Sequence, residues 1–147
     1  MDFAETNEQR LLRESVRRFA AKMHPFQGGR KPVRRGIGNW REVAANGWTA
    51  VGLPEETGGF GTAPVEVAII LEEFGRGLVV EPFVSCVLLA ARAIGLLGNA
   101  AQRALLPEVV DGNLLLALAH EERHTRGAIL EVATVELPLF LVFIGII

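Results

Sequence analysis

The sequence predicts a mainly α-helical domain followed by a short β appendage. Three observations predict it: apolar residues recur at helical spacing as far as Gly112, Gly and Pro stand where helices should end or begin, and the apolar run Leu114 to Ala119 is short enough for a buried strand. The 147 residues are 50% hydrophobic and 22% charged. This composition suits one domain with a core and excludes a disordered or low-complexity chain.

The first helix has a clear start. Thr6 and Gln9 form a capping box ahead of apolar residues that share one helical face, which predicts a helix from about Asn7 to Met23. Residues 25–38 are rich in Gly, Pro and basic side chains, a composition that breaks both helical and strand periodicity. We interpret this stretch as a solvated loop rather than a phosphate-binding patch.

Two further helices follow the loop. A short second helix begins near Trp40, and Gly47 stands where a left-handed residue would end it. A turn-rich stretch at 53–61 comes next. Pro64 suits the first turn of a third helix, because its fixed φ and missing N–H cost nothing there.

The last two predicted helices differ in polarity. Pro82 opens a fourth helix that is apolar nearly all round as far as Gly98, so we expect it to be buried on most sides. Asn99 and Gln102 repeat the capping pattern for a fifth, which is interrupted or restarted at Pro107 and closes near a glycine.

The C-terminal segment is unusually apolar. From Leu137 to Ile147, nine of the eleven residues are large and apolar and none is charged. A bilayer-spanning helix needs about 20 such residues, so the segment is predicted to be strand-like and not to cross a membrane. Exposing nine such side chains would forfeit about 10–25 kcal/mol, so a partner, a sheet or a lipid interface should cover them, or the chain aggregates. The predicted divisions are 1–113 (helical domain), 114–134 (start of a β-domain) and 135–147 (tail).

Charge and cysteine content indicate which kinds of partner and which cellular compartment to expect. The net charge is −2, with +6 over residues 1–41 and −8 over 42–147, which excludes a surface tuned as a whole to nucleic acid. The N-terminus lacks signal-peptide features and is expected to be the mature one. The single cysteine, Cys86, has no disulfide partner, which favours a cytoplasmic location, and its apolar surroundings predict a buried side chain rather than a nucleophile.

One motif suggests a metal site. His120 to His124 reads H-E-x-x-H, which on a helix places two His ligands and a general base around Zn²⁺. The third histidine of the metzincin pattern is replaced by Leu130, and the motif follows a predicted strand, where alternate residues point to opposite faces. No metal site is therefore predicted, and a zinc hydrolase stays the least favoured alternative. The glycine-rich stretches match neither a dinucleotide fingerprint nor a P-loop.

Taken in order, several segments resemble the N-terminal helical domain of the acyl-CoA dehydrogenases. The resemblance covers about Asp2 to Thr134 and is carried mainly by the loop Pro-Glu-Glu-Thr-Gly-Gly-Phe-Gly at 54–61 and by Leu-Glu-Glu-Phe-Gly-Arg at 71–76. It continues through 102–112 into Ala-Leu-Ala-His-Glu-Glu at 117–122. The stretch around Glu122 and 131–134 is most similar to the small-subunit type found in paired dehydrogenases of pimeloyl-CoA or steroid side chains.

The resemblance implies a fold and an activity. Family members bind FAD and remove two hydrogens across the Cα–Cβ bond of an acyl-CoA, as in fatty acid or steroid side-chain metabolism, and their catalytic glutamate lies in a later domain. No catalytic residue is therefore assigned to this chain. The acyl-cavity wall would include Glu81, Ser85 and Leu89, although burial in the helical core would explain Leu89 equally well. The flavin-contacting strand end would be His120 and Glu121, where many members have a threonine, and a carboxylate there would oppose the charge of a reduced flavin.

From Val135 onward the sequence departs from the family. This departure suggests a truncated or frame-shifted product that holds only the cavity-wall domain and is inactive alone. The alternative is a non-catalytic interaction subunit whose apolar tail docks on a partner dehydrogenase. The two hypotheses differ in whether the chain has a companion.

Overall fold

The computed structural model describes residues 4–23, 38–61, 63–119 and 141–146. These residues form six α-helices, two short 3₁₀ turns, a π-helical segment and two strands. The helices are α1 (Asn7–Met23), α2 (Trp40–Ala45), α3 (Pro64–Arg76), α4 (Arg92–Leu97), α5 (Ala100–Arg103) and α6 (Leu106–Val110). The 3₁₀ turns span Trp48–Ala50 and Glu55–Thr57, the π-helical segment Val84–Ala91 runs directly into α4, and the strands are β1 (Leu114–Ala119) and β2 (Leu141–Ile146). The mainly helical fold class predicted from the sequence is confirmed.

Local capping signals set the helix ends where the sequence places them. At the start of α1, the Thr6 N–H donates to Gln9 Oε1 at 3.0 Å and the Gln9 N–H donates to Thr6 Oγ1 at 3.2 Å. A second capping box joins Asn99 and Gln102 ahead of α5, with distances of 2.8 and 2.9 Å. Because each box satisfies two backbone donors that a helix end leaves free, it fixes the first turn.

The core lies between the long helices and the π-helical segment. α1 packs against α3, and the rings of Phe19, Trp48, Phe74 and Phe83 form a chain of contacts with centroids 5.1 to 5.9 Å apart. All of these ring pairs except Phe19–Phe74 are edge-to-face, a geometry that adds to the free energy that burial supplies. Trp40 is fully buried beside this group.

The fourth predicted helix differs from expectation in two ways. Its first half, Val84–Ala91, is π-helical rather than α-helical. It is also not buried on most sides: Cys86 and Val87 are fully buried, but Val84 and Leu89 are exposed, and so are residues 96 and 97 of α4. The expectation failed because the composition of the helix could not show that one apolar face has no described neighbour.

The two strands form a small antiparallel sheet beside the π-helical segment. β1 packs on that segment, and its six residues pair with β2 in a register that runs from Leu114↔Ile146 to Ala119↔Leu141. The strand predicted from the apolar run is confirmed, and the strand-like C-terminal segment is confirmed over Leu141–Ile146.

Several predictions lie outside the described residues. They are nearly all of the loop at 25–38 and the H-E-x-x-H stretch at 120–124, together with the C-terminal division between 120 and 140. Among the described helices, none is both long and apolar enough to cross a bilayer.

Candidate functional site

The predicted acyl-cavity wall lies at the start of the π-helical segment. Glu81 precedes it and is only 9% exposed. Its Oε1 accepts hydrogen bonds from the backbone N–H of Asn39 at 3.1 Å and from Asn39 Nδ2 at 3.3 Å, while Oε2 is buried with no hydrogen-bond partner among the described residues. Glu81 therefore tethers the segment before α2 to the start of the π-helical segment.

The other two predicted wall residues lie on the open side of the same segment. Ser85 is exposed, and its Oγ donates to the carbonyl of Pro82 at 3.2 Å. Leu89 is 43% exposed, so the alternative that core burial explains this leucine is wrong. Ser85 and Leu89 are thus both exposed on the π-helical segment, whereas Glu81 is buried just before it.

Sequence reasoning missed how much apolar surface surrounds these residues. Exposed large apolar side chains lie before, within and after the π-helical segment, at Val80, Val84, Leu89, Leu96 and Leu97. An exposed apolar surface of this kind marks a contact with a ligand or another protein surface more often than it is left bare. The only sequence signal was a helix with little polar surface, which we interpreted as core.

Behind this surface, Cys86 links the segment to β1. Its side chain is fully buried, and its Sγ accepts a hydrogen bond from the Leu116 N–H at 3.3 Å. Burial raises the pKa of the Cys86 thiol to about 11, although the Leu116 N–H partly opposes the shift. Cys86 is therefore a packing residue, as predicted, and not a nucleophile.

We expect the Cys86 thiol to resist aromatic disulfide reagents in the native chain at neutral pH. The thiolate is the reactive form of cysteine. The raised pKa keeps the thiolate fraction low, and burial keeps the reagent away from the sulfur. Stopped-flow absorbance with and without denaturant would measure this, with an expected rate at least about 100-fold slower in the native state, since a pKa two units above its usual value alone lowers the thiolate fraction about 100-fold. Equal rates would show that the strand does not cover the thiol.

A charged network between α1 and α3 was not predicted from the sequence. Glu73 of α3 is 1% exposed. It accepts hydrogen bonds from Arg17 Nε at 3.0 Å, from Arg17 Nη2 at 2.9 Å and from Arg13 Nη1 at 2.9 Å. Arg13 also pairs with Glu5 and Glu72. Because each of these charged side chains has a partner of opposite charge, we interpret this network as the ionic clamp that holds α1 against α3, and not as a catalytic or binding site.

The arginines lower the pKa of the Glu73 carboxyl. Hydrogen bonds from Arg17 are the main cause and those from Arg13 add to them, against the opposing effect of burial, and the pKa falls from 4.5 to about 2. Glu73 is therefore ionised at neutral pH. It has no role as a proton donor or acceptor in the physiological range.

The strand that leads to the predicted flavin contact is apolar. β1 contributes only Leu and Ala side chains, which offer no polar group to a flavin ring or a pyrophosphate. His120 and Glu121, the residues predicted to touch the cofactor, lie outside the described part of the chain. Within that part, no group of three His, Cys, Asp or Glu side chains is arranged to hold a metal ion.

Comparison with protein families gives one match that spans most of the chain. Residues 6–113 match the acyl-CoA dehydrogenase N-terminal domain. The sequence is 32% identical over 127 residues to the acryloyl-CoA reductase (NADH) of Anaerotignum propionicum, covering 83% of this chain and 32% of that protein. It is 27% identical over 128 residues to the acyl-CoA dehydrogenase FadE12 of Mycobacterium tuberculosis, covering 82% of this chain and 32% of that protein. The chain thus spans about a third of the length of these relatives.

Solved structures share the fold. A variant of the Tcur3481-Tcur3483 steroid ACAD is similar with a TM-score of 0.67 and 35% identity, over 79% of this chain and 33% of that one. The ChsE4-ChsE5 complex from Mycobacterium tuberculosis has a TM-score of 0.66 at 24% identity, over 84% of this chain and 33% of that one. At that identity the second likeness shows the fold alone.

Proposed function

Because the chain belongs to the acyl-CoA dehydrogenase family through its N-terminal domain, we propose that its helices form one wall of the pocket that receives the acyl group of an acyl-CoA thioester. The reaction would be α,β-dehydrogenation of that thioester by an FAD-dependent enzyme of which this domain is part. FAD supplies the redox step when it is bound. The contribution of this chain is to position the acyl group and to exclude water from it.

The exposed apolar side of the π-helical segment carries this proposal. Val84 and Leu89 are exposed on the same segment as Ser85, and the preceding Glu81 has a buried carboxylate oxygen to which no described residue donates a hydrogen bond. An acyl chain laid on such a surface gains about 25 cal/mol per Å² of apolar area removed from water. A wall that is apolar with a few placed polar groups is typical of small-molecule pockets.

A photoreactive acyl-CoA tests the wall directly. We expect a thioester with a diazirine at the end of its acyl chain to label the peptide that contains Ser85 and Leu89, as read by mass spectrometry. The variant Ser85→Trp should reduce labelling at least about fivefold, because the indole fills the space beside the segment. The matched control Leu11→Trp, at an exposed leucine of α1 outside this surface, should leave labelling unchanged. Labelling spread evenly along the helix and insensitive to unlabelled acyl-CoA would contradict the proposal.

We further expect the 147-residue chain to retain no FAD by itself. The chain matches only the N-terminal domain of the family, and β1 offers no polar side chain to a flavin, so a flavin would have to be held mainly by other parts of the enzyme. After incubation with FAD and gel filtration, the protein peak should lack flavin absorbance, whereas a full-length family member treated in parallel should keep it. Stoichiometric retention by this chain would overturn that expectation.

The second candidate role is that of a non-catalytic interaction subunit of a heteromeric dehydrogenase, and the titles of two solved structures support it. The ChsE4-ChsE5 structure is a complex by its title, and the Tcur3481-Tcur3483 structure names two chains. A non-catalytic subunit of this type would dock on a catalytic chain through its exposed apolar side. Affinity purification from the native host discriminates the two roles, because a subunit should carry a dehydrogenase chain in fixed ratio and an isolated domain should carry none.

A further inference from the structure

The two sides of β1 have different backbone hydrogen-bond partners. The Leu116 N–H points to Cys86 Sγ, away from β2. In an antiparallel pair, opposed residues alternate between hydrogen-bonded and non-hydrogen-bonded pairs. Leu116↔Ile144 is therefore a non-hydrogen-bonded pair, and the backbone groups of Ala117 face Phe143 across the sheet.

The other edge of β1 is already in use. It lies against the π-helical segment, where the thiol of Cys86 takes the Leu116 N–H. A strand that adds to β1 must therefore take the place of β2. Since β1 also places Leu114 and Leu116 in the core, the strand is held firmly by the helices and presents a stable template.

We propose that the β2-facing edge of β1 is a strand-docking site for an extended, uncharged apolar segment, and that the chain's own residues 141–146 occupy it and control access to it. The chemistry of the occupant follows from β2 itself, which is Leu-Val-Phe-Ile-Gly-Ile without a single charge. A strand that lacks charges has nothing to oppose edge-to-edge pairing. This inference is independent of the acyl-CoA proposal.

The occupant in the same chain has a large concentration advantage. β1 and β2 belong to the same chain, and a covalent link makes their pairing intramolecular, with an effective concentration that can reach the order of 1 mM. A separate strand at micromolar concentration cannot compete with it. Weakening β2 should therefore open the docking site, whereas leaving β2 intact should keep the site closed.

Two proline variants in the full chain test this. Phe143→Pro removes an N–H that faces β1, while Ile144→Pro removes one that faces away, where proline is tolerated better. The probe is a fluorescent peptide of residues 137–147 with added lysines, followed by anisotropy. We expect Phe143→Pro to bind the peptide at least about tenfold more tightly than the wild type or Ile144→Pro, because only its docking site is open. Equal binding by all three chains, or none by Phe143→Pro, would overturn the proposal.

A cysteine pair keeps the test decisive if Phe143→Pro fails to fold. Leu118 and Val142 are opposed, and by the same alternation they form a non-hydrogen-bonded pair, whose Cα atoms lie about 4.5 Å apart and within reach of a disulfide. The variant Leu118→Cys/Val142→Cys should form an intrachain disulfide on mild oxidation, run as a monomer and reject the peptide. An interchain disulfide would place the strand in a second copy and contradict the proposal, as would the absence of any disulfide.

Discussion

The substitution Gly59→Ala should destabilise the domain by about 3 kcal/mol, since a Cβ at this position overpacks a backbone that cannot move aside. The added carbon would lie 2.2 Å from the carbonyl oxygen of Leu53 and 2.4 Å from its carbonyl carbon. The same loop is fastened by the Gly59 N–H, which donates to the carbonyl of Pro54 at 3.0 Å, and by the Gly61 N–H, which donates to that of Leu53 at 2.8 Å. Thermal and urea unfolding followed by circular dichroism would measure the loss.

The neighbouring glycine provides the control. Gly58 has a left-handed φ of 85°, but nothing lies within 4 Å of a Cβ built on it. Gly58→Ala should therefore cost only the strain of a left-handed alanine, about 1 kcal/mol. If the two variants lost the same stability, the close approach of Gly59 to Leu53 would not be the reason that this loop needs glycine.

The substitution Glu73→Gln should destabilise the clamp between α1 and α3 by about 2 kcal/mol. It removes a buried charge that two arginines share, and the loss is smaller than for a fully buried pair because Arg17 is partly hydrated. Glu72→Gln is the matched control, because it removes the same charge one residue away from a side chain that also contacts Arg13. Since Glu72 is exposed, this variant should lose much less stability. Equal losses would show that burial of Glu73 does not matter.

The same carboxyl should make the stability depend on pH. Its pKa is about 2 in the folded chain against 4.5 ordinarily, so its contribution is fully present above pH 4.5 and is lost as the pH falls from there towards 2. The difference in unfolding free energy between the wild type and Glu73→Gln should therefore shrink over this interval. A difference that stayed constant from pH 6 down to about pH 3 would rule out the depressed pKa as its origin.

Much of the helical frame could be predicted because its signals are local. Thr6 with Gln9 and Asn99 with Gln102 act across three residues, and Pro64 acts through its own ring, so each can be recognised without knowing what packs nearby. The candidate wall was found only in part. The positions of Glu81, Ser85 and Leu89 came from a family resemblance, whereas the exposure of Leu89 depends on which elements cover the π-helical segment, and that is a property of the packed chain. Their contact with an acyl group stays a prediction.

By itself, the sequence determined the helix boundaries, the strand at 114–119 and the family, because capping, proline geometry and motif order are all written in neighbouring residues. Three other features were decided only by the tertiary structure. Glu73 contacts arginines that lie 56 and 60 positions earlier in the chain, and Gly59 lies close to the backbone of Leu53. The strand β2 pairs with β1, although residues 120–140 separate the two strands in the sequence. Each of these features depends on a contact between groups that are far apart in the sequence, or on how closely two backbone segments pack. Such contacts form only when burial of the whole core outweighs the entropy of closing the chain, and no local pattern records them.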